Sequence, residues 1–86
     1  MTSNQRIILG IHITNRVQRA SDVQALFTEY GCNIKTRIGL HDVDDTVCSP
    51  SGIVLIEFFG TLDEAQAMTA KLGALEGIDV QTMVFG

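Results

Sequence analysis

The sequence predicts an α+β sandwich in which two helices cover one face of a four-stranded antiparallel sheet, with the elements in the order βαββαβ. Three observations predict it. Four stretches alternate apolar and polar residues or run continuously apolar, two repeat apolar residues at helical spacing, and turn signals separate most neighbours. Eighty-six residues, 45% of them hydrophobic, suffice for one domain spanning 1–86 and leave no room for a second.

The first strand is read from Ile7 to Thr14, where Ile7, Leu9, Ile11 and Ile13 alternate with Ile8, Gly10 and His12. That period of two assigns the first set to the core. Asn15 then caps a helix, with Gln18 three residues on as its capping-box partner, and Val17, Ala20, Val23, Phe27 and Tyr30 form the buried stripe. Gly31 supplies the stop.

A second alternating stretch, Asn33 to His41, sets Ile34, Thr36, Ile38 and Leu40 against Lys35, Arg37, Gly39 and His41. Asp42 to Gly52, with three aspartates and Ser49-Pro50-Ser51, is expected to be a long, solvated and mobile connection. Ile53 to Gly60, IVLIEFFG, is apolar nearly throughout and so belongs in the middle of the sheet. Thr61-x-x-Glu64 is a capping box that opens a second helix with Leu62, Ala65, Met68, Leu72 and Leu75 inward, Gly73 weakening its last turn. Glu76-Gly77 turns the chain into a last strand in which Ile78, Val80, Thr82 and Val84 alternate with Asp79, Gln81, Met83 and Phe85.

Each helical crossover joins parallel strands that leave space for a partner between them, which gives a ferredoxin-like sandwich with the first and third strands central. The two halves form a weak internal repeat. The sheet face away from the helices would then carry Ile8, Gly10, His12, Ile53, Leu55, Glu57, Phe59, Met83 and Phe85. Such a face is too apolar to leave in water, so self-association through the sheet, as a homodimer or homotetramer, is expected.

A net charge of −4 with six basic residues argues against direct nucleic-acid binding, which needs Lys and Arg clustered on one face. Arg16, Arg19, Lys35 and Arg37 gather in the first half and leave room for a small anion site. Cys32 and Cys48 have no CxxC spacing and are expected to be free thiols in a reducing compartment. With no secretory signal at the start and no apolar run of the ~20 residues that span a bilayer, the chain is expected to be cytoplasmic and not membrane-bound.

The run His12-Ile13-Thr14-Asn15-Arg16 before the first helix and Tyr30-Gly31-Cys32-Asn33-Ile34 after it resemble the ACT domain, a βαββαβ regulatory module whose corresponding runs read N-R-P-G and G-(V/I/C)-N-I. Together with the segments ILGIHITNR, GCNIKTRIGLH, SGIVLIEF and LEGIDVQTMVF, the chain is also similar to the stand-alone family of iron-only hydrogenase system regulators. Members of that family resemble both the ACT domain and the C-terminal domain of nickel-responsive repressors.

The resemblance implies an ACT-like fold and a regulatory role. It also implies that a small effector such as an amino acid binds at a subunit interface near Asn15, Arg16, Gly31 and Asn33, Asn33 coming from a neighbouring subunit. Helix N-terminal N–H groups suit a carboxylate, and side-chain amides accept from an ammonium group. Where the ACT pattern has Pro-Gly, this chain has Val17-Gln18, without the fixed proline φ or the glycine that allows close backbone approach.

Two other readings remain open beside this one. His12, His41 and Cys48 are candidate ligands for a nickel-type, metal-responsive module, with both histidines on the non-helix face if the strand parities hold. A purely structural oligomerisation domain is the other. Asp42, Asp44 and Asp45 lack the remaining ligands of an EF-hand loop. No paired acid and base, and no nucleophile beside a base, is present, so the chain is not read as an enzyme and no cofactor is assigned.

Overall fold

In a computed structural model of the chain, residues 5–14, 16–43 and 48–86 are described; for 16–20, 41–43 and 48–51 this covers the backbone alone. Four strands and two helices follow as β1 (Arg6–Ile13), α1 (Arg16–Glu29), β2 (Ile34–Val43), β3 (Cys48–Phe58), α2 (Leu62–Gly73) and β4 (Ile78–Phe85). The strands form one antiparallel sheet in the order β2-β3-β1-β4, so β1 and β3 are central, as the ferredoxin-like topology requires.

The core lies between the helices and one sheet face. Ile7, Leu9 and Ile11 of β1, Ile56 of β3, and Met68 and Leu72 of α2 are fully enclosed, with Ile13, Val23, Phe27, Phe58, Ala65 and Ile78 around them. This is the alternating set of the first strand meeting the helical stripes of two amphipathic segments. Helix α2 starts as its sequence requires: the Thr61 hydroxyl accepts from the Glu64 N–H, and the Glu64 carboxylate accepts from the Thr61 N–H at 2.8 Å. Gly77, with φ 83°, makes the turn into β4.

Three expectations are corrected. The first concerns the end of α1. It closes without a left-handed glycine: Gly31 has no positive φ and instead opens a 3₁₀ turn, Gly31–Asn33, that leads directly into β2. The second concerns the connection after β2. It is shorter than residues 42–52, since β2 runs to Val43 and β3 begins at Cys48. Pro50 is tolerated there because β1 pairs with β3 only as far as Ile13↔Gly52, so the segment beyond Gly52 lacks a ladder partner on that side.

The third correction concerns β2 itself. Ile34 pairs with Phe58 but Thr36 pairs with Glu57, so two residues advance on β2 for one on β3. This bulge flips the faces of the residues that follow. Ile34 packs against the core, whereas Ile38 and Leu40 fall in register with Leu55 and Ile53 on the far face, and Arg37 and Gly39 fall in register with Ile56 and Val54 on the helix face.

Candidate functional site

Through the register, the face away from the helices resolves into rows that cross all four strands. Thr36, Glu57, Ile8 and Met83 form one row; Ile38, Leu55, Gly10 and Gln81 the next; Leu40, Ile53, His12 and Asp79 the third. Ile38, Leu40, Ile53, Met83 and Phe85 are all exposed large hydrophobics, Ile38 at 51% and Phe85 at 53%. Gly10 leaves a shallow depression in the middle, bordered by His12, Ile53, Leu55, Asp79, Gln81 and Met83. At the rim, the Arg6 guanidinium donates to the half-buried Glu57 carboxylate at 2.7 Å and offsets its charge on this face.

The bulge enlarges this patch beyond what strict alternation along the sequence implies. It adds Ile38 and Leu40 from the edge strand, so the apolar surface runs across the sheet to both edges. Phe59, 67% exposed, lies just past the end of β3.

The expected ligand residues sit at the two ends of α1. Asn15 lies outside the described residues, Arg16 opens the helix and is placed by its backbone, and Gly31 and Asn33 follow the helix end. A 14-residue helix is about 21 Å long, so within one chain Arg16 and the Gly31 to Asn33 turn stand far apart.

Asn33 has a structural engagement. Its Nδ2 donates to the Phe59 carbonyl at 2.8 Å, and its own carbonyl accepts from the Phe59 N–H at 2.6 Å. This pair ties the start of β2 to the end of β3, directly before Gly60 and the α2 cap. Gly60 is required there: φ is 146°, and an added Cβ would stand 2.6 Å from Glu64 Oε1 and 3.0 Å from Asn33 Nδ2.

The metal candidates fall in different register rows. His12 lies in the outer row with Ile53 and Asp79, whereas His41 is in register with Gly52 and, through it, with Ile13 of the helix-face set. The bulge in β2 is the reason. Cys48 is placed by backbone only, opposite Val43. Among the described residues, no group of three or more His, Cys, Asp or Glu side chains is arranged to hold a metal ion. Cys32 is a free, exposed thiol in the 3₁₀ turn. No described helix is long and apolar enough to cross a membrane.

Sequence reasoning missed a second feature, a cleft of about 350 Å³ on the helix side between α1 and the β2–β3 half of the sheet. It is lined in part by Arg37 and Gly39, which simple alternation does not distinguish from exposed edge residues. The Arg37 guanidinium lies 4.5 Å over the Phe27 ring.

Comparison with known proteins places this geometry. Residues 6–82 match the model of the TM1266-like family, described as "Iron-only hydrogenase system regulator, putative". The solved structure of the uncharacterized protein TM1266 from Thermotoga maritima superposes with a TM-score of 0.80, covering 96% of this chain and 100% of that one at 24% sequence identity. At that identity the likeness shows the shared fold. No curated protein matches the chain.

Proposed function

The chain belongs to the TM1266-like family, and from that premise we propose that it is a small, non-enzymatic regulatory module that self-associates through the outer face of its sheet and senses a small effector at the boundary between subunits. The family description supplies the regulatory role. The observation that carries the assembly is the set of exposed apolar side chains on the outer face from β2 to β4, among them Ile38, Leu40, Ile53 and Met83. Large contiguous apolar patches on a small domain mark interaction surfaces, and covering several such side chains is worth several kcal/mol at about 25 cal/mol per Å².

An effector site shared between subunits fits the separation of the two turns. Arg16 opens α1 and the Gly31 to Asn33 turn follows its other end, so a ligand touching both ends of the helix takes one from each of two chains. Such a ligand binds the assembled form better than the free chain, and by linkage effector affinity and assembly then depend on each other.

Light scattering tests the assembly: the wild type is expected to be a dimer or tetramer at micromolar concentration, and Leu40→Glu is expected to shift it toward monomer. A monomeric wild type defeats the reading. A thermal-shift screen of amino acids and related carboxylates on wild type and Asn15→Ala tests the effector. No shift with any compound, or a full shift retained in Asn15→Ala, removes the interface site. Nickel and zinc in the same screen, with His12→Ala as control, address the metal-responsive alternative, which requires a midpoint gain that this substitution abolishes.

A further inference from the structure

We propose that the cleft between α1 and the β2–β3 half of the sheet is a binding site for a small monocarboxylate with a branched or aromatic hydrocarbon body, its carboxylate held by Arg37. This site is separate from the subunit-boundary site and does not rest on it.

The cleft has a stated origin in the fold. Helix α1 lies over the helix face of the sheet, and at two positions on that face the sheet presents no side chain: Gly39, in register with Val54, and Gly52, in register with Ile13. Both glycines line the cleft. Where a valine or isoleucine in those rows would meet the helix, about 350 Å³ of space is left, many times the ~30 Å³ that one water takes up in the liquid. That volume lies at the lower end of the range for small-molecule sites, roughly 300–1,000 Å³, and so suits a compact ligand.

The lining selects the ligand's chemistry. Ile13, Val23 and Val54 give apolar walls, which favour a hydrocarbon body. Arg37 and Gln24 give the polar end, and both are exposed, so the charged group of a ligand would sit at the mouth on the β2 edge. The guanidinium carbon lies 4.5 Å over the Phe27 ring, a cation–π contact that holds the group beside the cleft without using its N–H donors. No carboxylate among the described side chains forms an ion pair with it. One cation in a chain of net charge −4 suits a monoanion better than a phosphate dianion.

The bulge in β2 is what makes the site. Without it, Arg37 and Gly39 would face away from α1, and Ile38 and Leu40 would fill the space below the helix. The same irregularity therefore opens the cleft on one face and extends the apolar patch on the other.

Amide-resolved NMR titration of the full chain with phenylacetate and with 4-methylpentanoate tests the site. Saturable shifts at millimolar concentration are expected at the Gly39, Gly52 and Val54 amides, with affinity falling at least about tenfold for phenylacetamide and in Arg37→Met. Gly39→Val is expected to abolish binding by filling the cleft, and if that variant does not fold, Arg37→Met decides alone. Absence of saturable shifts with both acids overturns the proposal. So do shifts that Arg37→Met leaves unchanged, or binding lost in Asn15→Ala but kept in Arg37→Met, since that pattern belongs to the subunit-boundary site.

Discussion

Asn33 illustrates how one residue serves two readings. Its motif context marks it as a ligand residue, while its bonds to Phe59 make it a clamp between β2 and β3. Asn33→Ala is therefore expected to cost about 0.5–1.5 kcal/mol in urea denaturation even without any effector, because the exposed Phe59 carbonyl loses its side-chain donor. A ligand role must be read as an effect on effector binding beyond that loss. Two glycines near it separate in the same way. Gly60→Ala, forced into φ 146° against Glu64 and Asn33, is expected to cost about 1–3 kcal/mol. Gly31→Ala, with negative φ and open space for a Cβ, is expected to be neutral or stabilising by up to about 1 kcal/mol. In the sequence Gly31 reads as a helix stop and Gly60 as the end of a strand. Only the backbone dihedral distinguishes them.

At the scale of elements, α2 was the most legible part of the chain. Thr61 and Glu64 announce α2 by spacing alone, and the structure forms both hydrogen bonds of the box. Thr61→Ala is expected to lower stability by about 1 kcal/mol in the same denaturation assay. The packing of α1 on α2 carries a pH signature that no spacing shows. Lys71 Nζ donates to the Glu29 carboxylate at 2.6 Å and lies 5.1 Å from the Tyr30 ring centre. Its hydrogen bond to Glu29, then that to Tyr30, raises its pKa above the ordinary lysine value of 10.5. A raised folded value means the contribution is fully present below that ordinary value and is lost as pH rises through the folded one. The melting midpoint is thus expected to fall at strongly alkaline pH, with a shallower fall in Lys71→Met, measured by thermal scans across that window.

Strand β2 was the least legible element. Ile34, Thr36, Ile38 and Leu40 keep an unbroken period of two, and a bulge leaves no mark on such a pattern, since residue types do not reveal the step at which the ladder gains a residue. Its consequences decide which face each later side chain joins. They move Arg37 beneath α1 beside Phe27 and Ile38 to the outer patch, and they put His41 in a different row set from His12.

For the whole molecule, the feature that stands out is the outer sheet face, with Ile38, Leu40, Ile53, Met83 and Phe85 exposed. If that face is covered by another copy, assembly and folding are linked by mass action, and the melting midpoint is expected to rise with protein concentration. Leu40→Glu should remove the dependence by placing a charge within the patch, with light scattering reporting the accompanying fall in mass. A midpoint independent of concentration over two decades would show that the face stays open.

The sequence by itself determined the order of elements, the central position of β1 and β3, the core set of Ile7, Leu9, Ile11 and Ile56 with the α2 stripe, and the family resemblance that the comparison established. The element order and core set follow from local periodicity and short-range capping, which a linear chain records directly, and the resemblance follows from the short motifs that flank α1. Tertiary structure decided the register of β2, the extent of the apolar face and the cleft under α1. Each depends on which residue stands opposite which across strands distant in sequence, and pairing partners are chosen by packing in three dimensions, where one inserted residue reverses every face beyond it.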